Sequence, residues 1–207
     1  MDGADDGERY RTVAEPATAR FVVRGSEFLG HVRPVEGVEE AESFVESVRE
    51  EYADATHNVP AYRVRTGGDL LREYASDDGE PSGSAGKPAM NVLAGRGLEN
   101  VAAVVTRYYG GTNLGVGGLV RAYSRAVNEA VDRAGVVERR PHERLSITVG
   151  YDDSGTVRGI VESADCEFEA DYGAEVSFDV RVPVAEADSL RDRLRSATSG
   201  RATLETG

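Results

Sequence analysis

The sequence predicts an α+β protein in two domains, residues 18–138 and 143–206. Two observations carry the first domain. Helical periodicity runs over Val38 to Tyr52 and again over Gly117 to Ala134, and a continuous apolar run, Val101 to Thr106 (VAAVVT), lies between them. A third observation gives the second domain. Beyond a polar, proline-containing break, Glu138 to Arg144 (ERRPHER), the elements follow the order β-α-β-β-α-β, which is ferredoxin-like.

Taken in chain order, residues 1–17 read as a mobile lead-in. Arg20 to Val35 reads as two short strands around a turn at Gly25-Ser26. The helix from Val38 places Ala41, Val45, Val48 and Tyr52 on one face and Glu39, Glu42, Glu46 and Glu50 on the other. Pro60 to Arg65 alternates as a strand does, and Leu70 to Tyr74 makes another. Ser76 to Pro88 is a loop by its Gly, Ser, Pro and Asp content, and a short helix follows to about Arg96. VAAVVT fits a strand covered on both faces. The helix from Gly117 buries Leu119, Val120, Tyr123, Val127, Ala130 and Val131, and Gly135 is its stop. In the second domain the strands are 144–151, 166–173, 174–182 and 201–206, with helices over 154–163 and 185–197.

Composition bounds the setting. The acidic opening MDGADDGERY does not read as a secretory leader, and no apolar run approaches the roughly 20 residues of a membrane span. One cysteine, Cys166, excludes an internal disulfide and fits a reducing cytoplasm. The net charge is −13, yet Lys87 is the single lysine among 24 basic residues. An acidic surface nearly free of lysine reads as adaptation to high salt, where repulsion between carboxylates is screened. Against that background, Pro81 to Arg125 holds Lys87, Arg96, Arg107, Arg121 and Arg125 with Glu99 as its only acid, a window of +4. An anion would bind there, unless the window is simply core.

The same window contains a glycine loop. Five of nine residues from Gly110 to Gly118 are glycine: Gly110, Gly111, Gly115, Gly117 and Gly118. Lying between a strand and a helix, their amides and the helix start make an anion site possible. Neither nucleotide motif is met: Val116 stands where a phosphate-binding loop needs lysine, and Val120 where the dinucleotide motif needs its third glycine. Arg107, Tyr108, Arg121 and Arg125 flank the loop, and arginine with tyrosine suits base stacking or a protein interface. In the preceding loop Asp77, Asp78 and Glu80 could hold Mg²⁺, but a turn rich in Asp and Gly explains them better, so no metal or cofactor is expected. His31, His57 and His142 have no metal-binding spacing, and Ser84 has no visible base. No catalytic constellation is visible.

Ser76 to Pro88 (SDDGEPSGSAGKP), Thr106 to Gly111 (TRYYGG) and Leu114 to Tyr123 (LGVGGLVRAY) resemble the IMPACT/YigZ family, and Ala55-Thr56-His57-Asn58 is similar to its shorter motif. The resemblance covers roughly residues 20–135, and the tail from Glu143 looks like the smaller C-terminal domain of prokaryotic members. It implies an N-terminal domain folded like the second domain of ribosomal protein S5. It also implies a ferredoxin-like tail similar to a late domain of the translocation elongation factor. Eukaryotic members regulate a translation-initiation kinase pathway through an added N-terminal domain that this chain lacks, so that role is not carried over. The family supplies no catalytic residues to transfer.

The leading expectation is a non-catalytic cytoplasmic protein linked to translation, binding RNA or a ribosome-associated surface through the glycine-loop face, with no sign of DNA specificity. One alternative is an enzyme that takes a small phosphorylated or peptide substrate at the two glycine-rich loops, with Lys87 or the loop carboxylates supplying chemistry. The other is an interaction module using the C-terminal sheet, which an exposed apolar patch on residues 166–182 would favour.

Overall fold

A computed structural model describes residues 9–66 and 70–206, and within them the chain divides into two compact units. The first, Tyr10–Arg139, is built on an antiparallel five-stranded sheet. Its strands in chain order are β2 (Ala17–Val23), β3 (Ser26–Pro34), β4 (His57–Arg65), β5 (Leu71–Ala75) and β6 (Val101–Tyr108), and they lie side by side in the order β2-β3-β6-β4-β5. The central β6 is paired with β3 from Pro34↔Val101 to Glu27↔Tyr108, and with β4 from Arg63↔Val101 to His57↔Arg107. Helix α1 (Val38–Glu51) covers one face of the sheet; α2 (Gly86–Gly95) and α3 (Val116–Ala134) cover the other.

This two-sided cover explains the unbroken apolar run of β6. Val101, Ala103 and Val105 enter the core under α2 and α3, while Ala102 and Val104 enter the clusters under α1. With both faces covered, neither phase of a period-2 strand is left to solvent. Pro60 lies inside β4 without breaking the ladder. Its carbonyl accepts from Ser76, so its nitrogen faces β5 beyond that strand's last residue, where no bond is lost. The β2–β3 turn falls at Arg24-Gly25, one residue before the position expected. Both residues have positive φ (49° and 81°), the primed geometry that suits the twist of a two-residue hairpin.

Part of the expected lead-in is structured. Strand β1 (Tyr10–Val13) pairs antiparallel with β7 (Val136–Arg139), so the segment after Gly135 is also strand. Val13 is fully buried and the Thr12 hydroxyl donates to the Asn100 carbonyl at 2.9 Å. Residues 1–8, part of the same expected lead-in, lie outside the described residues.

In the second unit, β8 (His142–Val149), α4 (Tyr151–Ser163), β9 (Glu167–Tyr172), β10 (Val176–Pro183), α5 (Val184–Ala197) and β11 (Thr203–Thr206) form an antiparallel sheet in the order β11-β8-β10-β9. This is the ferredoxin-like arrangement. Leu145, Ile147, Phe178 and Val180 face the helices and meet Val157, Val161, Leu190 and Leu194. On β9 and β10 the exposed positions are Glu167, Glu169, Asp171, Tyr172, Asp179 and Arg181, so the open face carries charge where an apolar patch would have favoured the interaction-module reading. Cys166 precedes β9, half-buried, and burial raises its thiol pKa. No helix among the described residues is long and apolar enough to cross a membrane.

Strand β3 and helix α3 approach each other closely. A Cβ at Gly30 would stand 2.2 Å from the Ala126 carbonyl oxygen, inside the helix backbone. Gly30→Ala is expected to destabilise the protein by at least about 2–3 kcal/mol, because backbone cannot yield as a side chain can. Urea unfolding of the variant checks this; a midpoint equal to wild type would show that α3 does not seat on β3 this closely.

Candidate functional site

The motifs that stood apart in sequence meet around one carboxylate. Strand β4 begins with His57, the loop after β5 supplies Glu80, the next-to-last residue of β6 is Arg107, and the first half of α3 supplies Tyr123. Glu80 Oε1 accepts from Arg107 Nη1 and from the Tyr123 hydroxyl at 2.8 Å, with His57 Nε2 at 3.8 Å. Glu80 and Arg107 are only 9% and 5% exposed. Arg107 Nη2 donates to the Ser26 hydroxyl at 3.3 Å, and its guanidinium lies between the rings of Phe28 and Tyr109, 5.5 and 5.3 Å from their centroids. Its Nε is buried with no partner among the described residues. Burial, and then the negative charge of Glu80, push the Tyr123 hydroxyl far above the usual phenol pKa, so it remains a donor. On the opposite face of the sheet, Thr106 donates to Asn58 Oδ1 at 2.7 Å, and burial lowers the pKa of neighbouring His31.

The other two loop carboxylates bind backbone amides. Asp77 accepts from the amides of Gly83, Ala85 and Gly86 at 2.7, 3.0 and 2.9 Å and so caps the start of α2. Burial raises its pKa, but the three amide bonds prevail and hold it below the ordinary value. Asp78 Oδ2 accepts from the Asn58 amide at 2.6 Å, and its carbonyl lies 2.6 Å from His57 Nδ1. Ser84 is buried with its hydroxyl unpartnered among the described residues. Lys87 is exposed on α2.

The glycine loop is shaped by contact at one end and by helix geometry at the other. A Cβ at Gly110 would stand 1.9 Å from the Gly25 carbonyl carbon, so only glycine lets the loop pass the β2–β3 turn; the Gly110 amide donates to Ser26 Oγ at 3.1 Å. Gly115 precedes α3 with φ +72° and no side-chain cap, and the first turn of α3 holds no acid. Gly111 and Gly117 are exposed nearby. Tyr108 turns away, donating to Asp54 Oδ1 at 2.8 Å, and that bond pushes its pKa up to about 12.

A groove of about 320 Å³ lies where the β2–β3 turn meets the start of α3. Phe21, Val23, Leu114 and Ala122 supply its apolar wall, and Gly118 lies between them. Arg24, Arg121 and Arg125 supply the charge, with no carboxylate in the lining. Arg125 is anchored, its Nε on Glu129 at 2.6 Å and its guanidinium 4.1 Å from the Phe21 centroid. Arg24 and Arg121 make no ion pair among the described residues. The structure therefore gathers Gly118, Arg121 and Arg125 at one place. Lys87, Asp77, Asp78 and Glu80 lie outside the groove lining, and Arg107 is enclosed by Glu80, Ser26 and two rings. Sequence reasoning missed Arg24 and Phe21, for which the signal was an arginine set directly before a turn glycine.

Two outcomes follow from these bonds. Glu80→Gln leaves Arg107 charged and buried without its counterion and is expected to cost about 3–5 kcal/mol by chemical denaturation, with Arg107→Met in the same chain recovering part of it. Were the single variant as stable as wild type, the pair would not be a structural keystone. Asp77→Asn keeps Oδ1 for Ala85 and Gly86 but loses the charge and sets a donor against the Gly83 amide, at an expected cost of about 1 kcal/mol at neutral pH. Because the folded-state pKa of Asp77 is depressed, its contribution is present above the ordinary carboxylate pKa and lost as pH falls through the folded value. The gap between wild type and variant should therefore close in acid; a gap independent of pH would refute the capping role.

Over residues 24–131 the chain matches the Impact N-terminal domain, and over residues 147–201 the domain of unknown function DUF1949. It is 35% identical to the IMPACT family member YvyE of Bacillus subtilis (strain 168), across 96% of this chain and 91% of that one. Against YigZ of Escherichia coli (strain K12) the identity is 34%, across 93% and 95%. A solved structure described as that of a hypothetical protein covers 95% of this chain and 96% of its own, with a TM-score of 0.71 at 35% identity. With both domains matched in order and relatives aligned almost end to end, the chain belongs to the IMPACT family, in the two-domain form found in bacteria.

Proposed function

We propose that this protein acts in translation by binding RNA, free or displayed on a ribosome-associated surface, at the face where the β2–β3 turn, the glycine loop and the start of α3 meet. One observation carries the reading: in a chain of net charge −13, three arginines line one groove with no carboxylate among them. Cationic side chains beside apolar wall are the combination that binds a phosphate backbone and its bases together. The translation setting rests on the family resemblance. The reaction-centre alternative draws no support from the groove, because Lys87 and the loop carboxylates do not line it.

The test is the anisotropy of a labelled single-stranded RNA titrated with wild type and with the Arg24→Glu, Arg121→Glu double variant, across a range of KCl concentrations. The variant is expected to bind at least about 10-fold more weakly. Its salt dependence should also be shallower, by about 0.7 in log–log slope for each phosphate that the two arginines neutralise. Equal affinity of the two proteins would remove the groove from the RNA reading, and no binding by wild type would remove the reading itself.

A further inference from the structure

Resting on the RNA reading, we infer that the groove takes one unstacked nucleotide of a single strand, its base against the Arg125 plane and its phosphate between Arg24 and Arg121. Size is the first argument. At about 320 Å³ the groove is at the small end of ligand pockets, which run from about 300 to 1,000 Å³. A concavity of this size cannot read a duplex, whose bases are stacked and whose recognition needs a protruding element or a broad, shallow contact. It does admit a base that has left its stack.

The second argument is the distribution of chemistry along α3. Arg121 and Arg125 are one helical turn apart, and they differ in freedom. Arg125 is held by Glu129 at one edge and by the Phe21 ring on one face, which makes it a fixed plane with a stacking surface rather than a mobile charge. Bases stack on such guanidinium planes. Arg121 has no ion partner among the described residues and lies nearer the helix start, its Nη1 3.5 Å from where a Cβ of Gly117 would stand. That is ordinary contact distance, so the guanidinium lies over the first turn of α3. The helix dipole adds positive potential at the same end.

Arg24 reaches the groove from the hairpin turn. Its φ of 49° is a left-handed conformation that turns of this kind normally give to Gly, Asn or Asp. An arginine kept at such a position, with no ion pair among the described residues, in a chain with 37 acids, is a backbone strain accepted for where the side chain points. Two cations without an ion pair among the described residues, beside one plane held by Glu129 and Phe21, match a phosphate followed by its base. In strong salt, where phosphate contacts weaken steeply, the plane would carry most of the affinity.

The experiment compares three labelled probes of one sequence: the single-stranded RNA, its duplex, and a strand with abasic sites. Each is titrated with wild type, with Arg125→Lys, and with the off-groove control Arg195→Lys, after circular dichroism has shown that each variant is folded. Arg125→Lys keeps the charge and removes the plane. Wild type is expected to prefer the single strand over both other probes by at least about 10-fold, and Arg125→Lys to cut that preference by weakening the single strand about 5-fold or more, the smallest effect of losing one stacked base. Arg195→Lys should behave as wild type. If the duplex or abasic strand binds as well as the single strand, or Arg125→Lys changes nothing, the one-nucleotide inference fails while RNA binding through Arg24 and Arg121 stands. If no probe binds wild type, both fail together.

Discussion

The ion pair of Glu80 and Arg107 is the contact on which the first unit is organised. It joins a loop that has no regular structure of its own to the last buried position of the central strand, and Tyr123 extends it to α3. A buried pair of this kind gives little net stability, because removing two charges from water costs about what their attraction returns. Its effect is on uniqueness. With Arg107 enclosed, any loop path that left Glu80 elsewhere would strand a charge in the core. The end of β6 is thereby fixed, then the passage of Gly110 beneath the hairpin turn, and then the point at which α3 starts. The two groove arginines of α3 owe their positions to a pair that never touches the groove.

Charge in the sequence and charge on the surface part company here. The +4 window from Pro81 to Arg125 looks like a basic island, yet three of its five cations are answered by acids outside it: Arg96 by Asp132, Arg107 by Glu80 and Arg125 by Glu129. Among the described residues, Lys87 and Arg121 remain without a carboxylate. The two exposed pairs, Arg96–Asp132 and Arg125–Glu129, contribute roughly 0–1 kcal/mol each, so they are poor evidence for stability. They matter as a background against which an unanswered arginine is noticeable.

Much of the architecture was legible because it follows from burial periodicity. The stripe of α3, the acidic face of α1, the two-sided β6 and the element order of the second unit all depend on which residues must leave water. The strands β1 and β7 were not legible, since four residues of mixed polarity carry too little pattern to show a period. The hairpin turn was displaced by one residue because Gly25 invites a turn while the primed geometry needs Arg24 as well. At the site, Arg121 and Arg125 were visible from their helical spacing. Arg24 and Phe21 come from a hairpin about a hundred residues away, and no local signal joins them to α3. The enclosure of Glu80 and Arg107 was hidden for the opposite reason: residues of their type are almost never fully buried unless paired, and pairing is a tertiary event.

The ribbon of β1 and β7 sets Tyr10 directly opposite Arg139, the first and last residues of the larger unit. Its chain therefore enters and leaves through one doorway. A body closed in this way is topologically a loop: its ends could be sealed to each other and new ones opened at a surface turn without disturbing a strand order. It could equally be grafted into a host wherever two neighbouring surface residues offer a seat. Such a unit can be moved as a cassette, and what is joined at the doorway need not disturb the shape of the groove.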